Sequence, residues 1–210
     1  MGDTVGEVPG ETEFIALSKR AQVSRMRAVA VEALGAFPVS VGRVTLLEHG
    51  FNTTFRIDTT DGRKLAMRIN VNSRRSPANI AAEVQWIDAL ARETDLVVAA
   101  PLRTTDGQLT TTVYSPDLGR DLNVTVFTWL NGRDLGEAPS LEKSRAAGVV
   151  MAKLHDHAAT WRPTNGASLS LLDDPFWTFP DRLTAENLGI DGDDLAVIRA
   201  MVERSTETIT

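Results

Sequence analysis

The 210-residue sequence contains no cysteine, which excludes disulfides, thiolate nucleophiles and cysteine-ligated zinc. No apolar run approaches the ~18 residues that a membrane span requires. The stretch from Met1 to Glu13 is acidic and glycine-rich, without the apolar core of a secretory signal. Basic charge is short as well: 22 Lys and Arg against 28 Asp and Glu leave a net charge of −6. A nucleic-acid binder would need a basic stripe to displace counterions, so that partner class is set aside. The expectation is a cytoplasmic protein with neither nucleic acid nor membrane as partner and with no assigned oligomeric state.

What is present is a chain able to build a core. At this length, with 42% hydrophobic residues, roughly 70% of the unfolded surface is expected to be buried. Residues 1–11 read as disordered. A helical pattern runs from Thr12 to Leu34, with Leu17, Ala21, Ala28 and Val31 as its apolar positions, and Gly35 and Pro38 end it. Strand-like runs follow at 43–47 and 54–58 around a turn at Gly50, and Asp61-Gly62 predicts a hairpin into Lys64–Asn70. Ser76-Pro77 opens a helix whose buried face is expected to carry Ile80, Val84, Ile87 and Ala91. A second Asp-Gly turn, Asp106-Gly107, joins two more strand-like runs that end at Phe127. Past Asn131-Gly132-Arg133 the pattern becomes helical. Leu141–His157 forms a helix capped by Ser140, with Ala147, Val150, Met151 and Leu154 inward; loop covers 161–180, and a last amphipathic helix spans about Asp193 to Glu203.

Three features could carry chemistry. The turn at Gly50 and Asn52 could offer backbone N–H groups to phosphate oxygens, or be an ordinary β-turn. Arg68 sits in the otherwise apolar run Leu65-Ala66-Met67-Arg68-Ile69, where an inward cation needs an anionic partner. Glu83, on the helix that follows, is the candidate partner; alternatively Arg68 faces solvent by strand alternation. His155-Asp156-His157 could suggest metal ligation, but His49 is the only other histidine, so capping of a helix C-terminus is the better reading. Asp191-Gly192-Asp193-Asp194 lacks the glycine and closing glutamate of a calcium loop and reads as a helix N-cap.

The order of these parts resembles the aminoglycoside phosphotransferase and homoserine-kinase-like family of small-molecule kinases. Gly50-Phe51-Asn52-Thr53-Thr54-Phe55-Arg56-Ile57 fits that family's G-x-N-x-x-[YF]-R-[VI]. Val126 to Leu135 is similar to the family hinge, and Leu154-His155-Asp156-His157 is similar to its L-H-x-H; the resemblance covers about residues 40–160. It implies an α+β, protein-kinase-like fold: an antiparallel β-sheet N-lobe with helices over 12–130, then a hinge exit and an incomplete helical C-lobe over 131–210. It implies nucleotide-binding roles for Gly50, Asn52, Arg68, Glu83, Thr128 and Leu130, with Arg68 in place of the ATP-binding lysine and Glu83 as its ion-pair glutamate. Thr128 and Leu130 would meet the adenine edge through their backbone. ATP is the implied cofactor, with Mg²⁺ for the complete family enzyme, and a small-molecule hydroxyl the implied acceptor.

Kinase-fold catalysis requires an Asp base and a metal-holding Asn five residues later. No asparagine in this sequence has an aspartate five positions before it. The expectation is therefore the N-terminal portion of an ATP-dependent phosphotransferase, inactive alone, with no catalytic or metal-ligating residue assigned. The alternative is a non-catalytic module, pseudokinase-like, that binds nucleotide or a partner; a third reading is an unrelated α+β protein.

Overall fold

A computed structural model describes residues 11–72, 75–132, 136, 140–169 and 181–209. The chain opens with two helices, α1 (Glu11–Ala16) and α2 (Lys19–Leu34), where the sequence pattern predicts one. The break falls at Ser18, whose hydroxyl accepts from the Ala21 N–H at 3.3 Å and so begins a new helix. The buried face of α2 is Met26, Val29, Ala30, Ala33 and Leu34. Ala28 and Val31, expected inside, are exposed, Val31 by 60%. Alanine and valine occur all around this helix, so their spacing did not single out one stripe.

Five strands follow: β1 (Val41–His49), β2 (Thr53–Thr59), β3 (Lys64–Ile69), β4 (Thr111–Ser115) and β5 (Arg120–Thr128). They form one antiparallel sheet in the order β1-β2-β3-β5-β4. The Asp61-Gly62 hairpin is where it was expected, with Gly62 at φ +84°, a conformation costly for any other residue. Asp106-Gly107 is also a turn, closed by Thr104 N–H to Gln108 O at 2.9 Å. It does not join two strands, however. The residues before it contribute only an isolated bridge from Pro101 to Phe127, and the β4–β5 connection is made at 116–119.

Register divides the sheet into two faces. Phe55 opposes Met67, Ile57 opposes Leu65, and Met67 and Ile69 oppose Val126 and Val124. These side chains cluster with Phe14, Met26, Val29, Ala30 and Ala33 from α1 and α2, so the first two helices roof this face. The residues in between, Thr54, Arg56, Ala66, Arg68, Thr125 and Phe127, oppose one another on the other face.

Helix α3 (Pro77–Glu93) starts as its sequence predicts. Ser76 Oγ accepts from the Asn79 N–H, the Asn79 side chain accepts from the Ser76 N–H, and Pro77 occupies the first turn. Ile80 and Val84 are buried, while Ile87 and Ala91 are only partly so; Ala82, Ala89 and Leu90 complete the inner face. Ser76→Ala is expected to cost about 1 kcal/mol, seen as a lower urea midpoint by circular dichroism.

Helix α4 (Leu141–Thr160) is capped by Ser140 as expected, but none of its residues is buried. Val150 and Met151, expected inward, are exposed. Directed polar bonds rather than apolar packing tie α4 to the end of α3: Lys153 Nζ lies 2.7 Å from Asp95, and His157 bonds both Trp86 and Glu93.

By contacts the chain divides into two compact units, Met1–Ser168 and Leu169–Thr210. The bonds from 153–168 to α3 carry the first unit past the Asn131 region. The second unit holds α5 (Ala185–Leu188) and α6 (Gly192–Ile209). Asp191 caps α6 by accepting from the Asp194 N–H at 2.8 Å, and Arg199 pairs with Asp181 at 3.0 Å. Among the described residues no helix is long and apolar enough to cross a membrane.

Candidate functional site

The sheet face opposite the core brings together two of the residues singled out by sequence, Arg68 and Glu83. Arg68 stands on β3 between Thr54 of β2 and Thr125 of β5. Its Nη1 donates to Glu83 Oε1 of α3 at 2.7 Å, and both side chains are about four-fifths buried, at 21% and 24% exposure. The solvent-facing alternative for Arg68 is thereby removed. The other Glu83 oxygen pairs with Arg75 at 3.0 Å.

Strand alternation and helix spacing explain the meeting. Arg68 is out of phase with the core residues Met67 and Ile69, and Glu83 precedes the buried Val84 on α3. The Arg68 guanidinium also lies over the Phe127 ring, 5.4 Å from its centroid. Its Nε and Nη2 are buried without an acceptor among the described residues, as is the neighbouring Thr125 hydroxyl. Buried donors of this kind ordinarily have partners. A fork with donors to spare suits a phosphate oxygen.

Phe127 and Thr125 were not singled out as site residues by the sequence. Alternation alone puts them on one face of β5, but the pairing of β5 with β3, which brings them to Arg68, is a long-range property.

The turn at Gly50 is tied to the end of β3. Asn70 Nδ2 donates to Asn52 Oδ1 at 3.2 Å, and Asn72 Nδ2 to Gly50 O at 2.7 Å. The Gly50 N–H is itself used, donating to Asn52 O at 3.0 Å. The turn's uncommitted amides among the described residues are those of Phe51 and Asn52.

Beside the turn, buried His49 bridges β1 to the helices. Gln22 spends its amide nitrogen on Ile15 and Leu17 carbonyls, so its Oε1 accepts from His49 Nε2–H at 2.8 Å. His49 Nδ1 then accepts from the Thr53 hydroxyl at 2.8 Å. Burial, reinforced by the nearby Lys19, lowers the His49 pKa from 6.5 and favours this neutral form. A histidine depressed in the folded state stabilises it fully above the unfolded pKa and loses that contribution as pH falls below it. Stability is therefore expected to decline as pH drops below about 6.5, and His49→Gln to flatten that decline in urea titrations at successive pH values.

At the far end of β5, Thr128 N–H donates to Ala100 O at 2.8 Å and Thr128 Oγ1 accepts from Ala100 N–H at 3.0 Å. Leu130 is exposed, and its N–H has no acceptor among the described residues. Arg133, Asp134 and Leu135, the end of the hinge-like run, lie outside the described residues. Thus Arg68, Glu83 and Phe127 form one contact group; Gly50 and Asn52 form a second at one end of β2 and β3, and Thr128 and Leu130 a third at the other end of β3.

The family model described as the phosphotransferase enzyme family matches residues 43–204, well over half of the chain. The chain belongs to the phosphotransferase enzyme family. Two solved structures carry the likeness into three dimensions. One is a microcompartment-associated aminopropanol kinase, 22% identical, with 83% of this chain and 54% of that one covered at a TM-score of 0.62. The other is an amicoumacin kinase, solved in complex with AMP-PNP, Ca²⁺ and Ami, 19% identical, with 90% and 53% covered at a TM-score of 0.62. These likenesses show the fold, protein-kinase-like as the motifs imply. The chain spans about half the length of these two kinases. No curated protein matches it.

His157 of the L-H-x-H run lies in the last turn of α4, the helix end expected for it, and its ring also reaches α3. His157 Nδ1 accepts from the Trp86 indole N–H at 3.1 Å, so its proton is on Nε2, 3.2 Å from Glu93 Oε2. This phosphotransferase-family member thus uses the second histidine to hold α4 against α3. Among the described residues no group of three or more His, Asp or Glu converges as a metal site would require.

Proposed function

We propose that this chain is the nucleotide-binding part of an ATP-dependent phosphotransferase that acts on a hydroxyl of a small molecule. The observation that carries the reading is the Arg68–Glu83 pair, 2.7 Å apart on the sheet face opposite the core, in a member of a phosphotransferase family. Arg68 would hold a phosphate of ATP with the two donors that Glu83 leaves free. Glu83 fixes the direction of the fork, and Phe127 supports it from beneath. The turn carrying Gly50 and Asn52 would close over the phosphates, offering the Phe51 and Asn52 amides. The Thr128 carbonyl and Leu130 N–H would meet the adenine edge.

In this reading residues 12–130 form the nucleotide lobe and 131–210 the exit from the hinge with the start of a helical lobe. The setting is cytoplasmic. Bound ATP would supply the phosphoryl group, and this chain would orient it. No residue is assigned to Mg²⁺. A base with a metal-holding partner of the Asp-x-x-x-x-Asn kind is not among these 210 residues. They are therefore expected to bind nucleotide and not to transfer phosphate.

The test is calorimetry of the 210-residue chain with Mg-ATP, paired with a coupled assay for ADP release. Saturable binding with no ADP release above buffer is the expected result. Absence of saturable binding would overturn the nucleotide assignment, and turnover would overturn the inactivity.

A further inference from the structure

The outer side of α3 faces a cavity of about 640 Å³ that the nucleotide reading does not use. Its volume lies within the range of small-molecule sites. Gln85, Asp88 and Arg92 of α3 line one wall, Arg103 another, and Trp161 and Arg162 of the segment after α4 the third. At 100° per residue, positions 85, 88 and 92 sit about 140–200° around the helix from Glu83. The cavity and the Arg68 contact therefore use opposite sides of one helix.

Built bonds hold the cavity's third wall. Gln85 and Thr164 share three hydrogen bonds: Gln85 Nε2 donates to Thr164 O at 3.1 Å, and the Thr164 N–H and hydroxyl donate to Gln85 Oε1 at 3.0 and 3.3 Å. The Trp161 ring lies 6.5 Å from that of Trp86, tilted by 45°. Farther along, Asn79 Nδ2 donates to Ser168 O at 2.9 Å. A chain segment is thus pinned along α3 at three levels with a space left beneath it.

The charges lining that space do not balance. Asp88 accepts from Arg92 Nε at 3.1 Å and from Arg103 Nη2 at 2.9 Å, and Arg92 also pairs with Glu93 at 3.3 Å. Those two carboxylates answer two of the three arginines. Arg162 spends only Nη1, on the Ala159 and Trp161 carbonyls, and has no carboxylate partner among the described residues. Arg162 is exposed, so its remaining donors and the one unanswered positive charge are open to an oxyanion from solution.

We propose that this cavity is a second ligand site, which takes a small molecule presenting a phosphate or carboxylate to Arg162 beside the face of Trp161. Such a ligand would bridge the pinned segment to Arg103 and α3, and so would steady the helix that carries Glu83. Phosphate esters and organic carboxylates share the chemistry that Arg162 recognises, and the two are separated by titration.

The 210-residue chain is titrated with inorganic phosphate and, separately, with benzoate, following the indole N–H resonance of Trp161 by NMR. A saturable shift with either probe is the expected result, and the probe that saturates at lower concentration identifies the headgroup. Arg162→Ala and Arg162→Glu should each weaken it at least tenfold, whereas Arg68→Ala should leave it unchanged. Arg162 is exposed and bonds only local carbonyls, so both variants should keep the Trp86 resonance that reports folding. No saturation with either probe below about 20 mM, wild-type affinity in both Arg162 variants, or loss of binding in Arg68→Ala would each overturn the proposal.

Discussion

Replacing Arg68 by alanine is expected to weaken Mg-ATP binding by about 10- to 150-fold in calorimetry, the span set by a charge-assisted hydrogen bond worth about 1.5–3 kcal/mol. The arginine enters the site already oriented: Glu83 holds Nη1 at 2.7 Å and the Phe127 ring lies beneath the guanidinium. Little side-chain entropy then remains to be lost when a phosphate binds the other nitrogens. Arg68→Lys should retain only part of the affinity. One ammonium cannot reproduce a fork that meets Glu83 through one nitrogen and keeps two donors for a ligand. Glu83→Gln removes the charge that directs the fork but keeps a side-chain oxygen, so its loss should be smaller than that of Arg68→Ala. Unchanged affinity in Arg68→Ala would refute the phosphate role, whatever the other variants do.

Much of this site was legible because its rules are local. A cation out of phase with Met67 and Ile69 must leave the core face, and Ser76-Pro77 fixes where the next helix begins. Those two constraints make Glu83 a candidate partner for Arg68, and the docking of α3 on that sheet face decides it. What local rules could not supply was set by distant partners. His157 is the helix-end residue its spacing predicts, but the bond its ring accepts from Trp86, 71 positions earlier, is a long-range property. Thr125 and Phe127 become site residues only through the pairing of β5 with β3. On α4 the apolar spacing was correctly seen but its burial was not. Lys153 and His157 fasten the helix by directed bonds, and these demand no buried stripe.

The other large effect concerns the core that supports the site. Phe55→Ala is expected to destabilise the protein by about 3–5 kcal/mol. Phe55 is wholly buried in the middle of β2, opposite Met67, with its ring against the roof formed by α1 and α2. Truncation there leaves a void between the sheet and its helical roof, and the loss grows with the part of that void the two layers do not close. Against a typical total of about 5–15 kcal/mol, such a loss consumes much of the stability. It should appear as a large drop in the urea midpoint by far-UV circular dichroism. Val31→Ala provides the contrast, because the sequence pattern placed Val31 inside whereas it is 60% exposed on α2. Its effect should stay within about 0.5 kcal/mol, as for other surface changes, and alanine's better helix propensity favours a slight gain. A Val31→Ala loss approaching that of Phe55→Ala would mean that α2 is rotated, with Met26, Val29 and Ala33 no longer its inner face. The roof over β2 and β3 would then have to be redrawn, whereas Arg68 would keep its face, which strand alternation and Glu83 fix independently of α2.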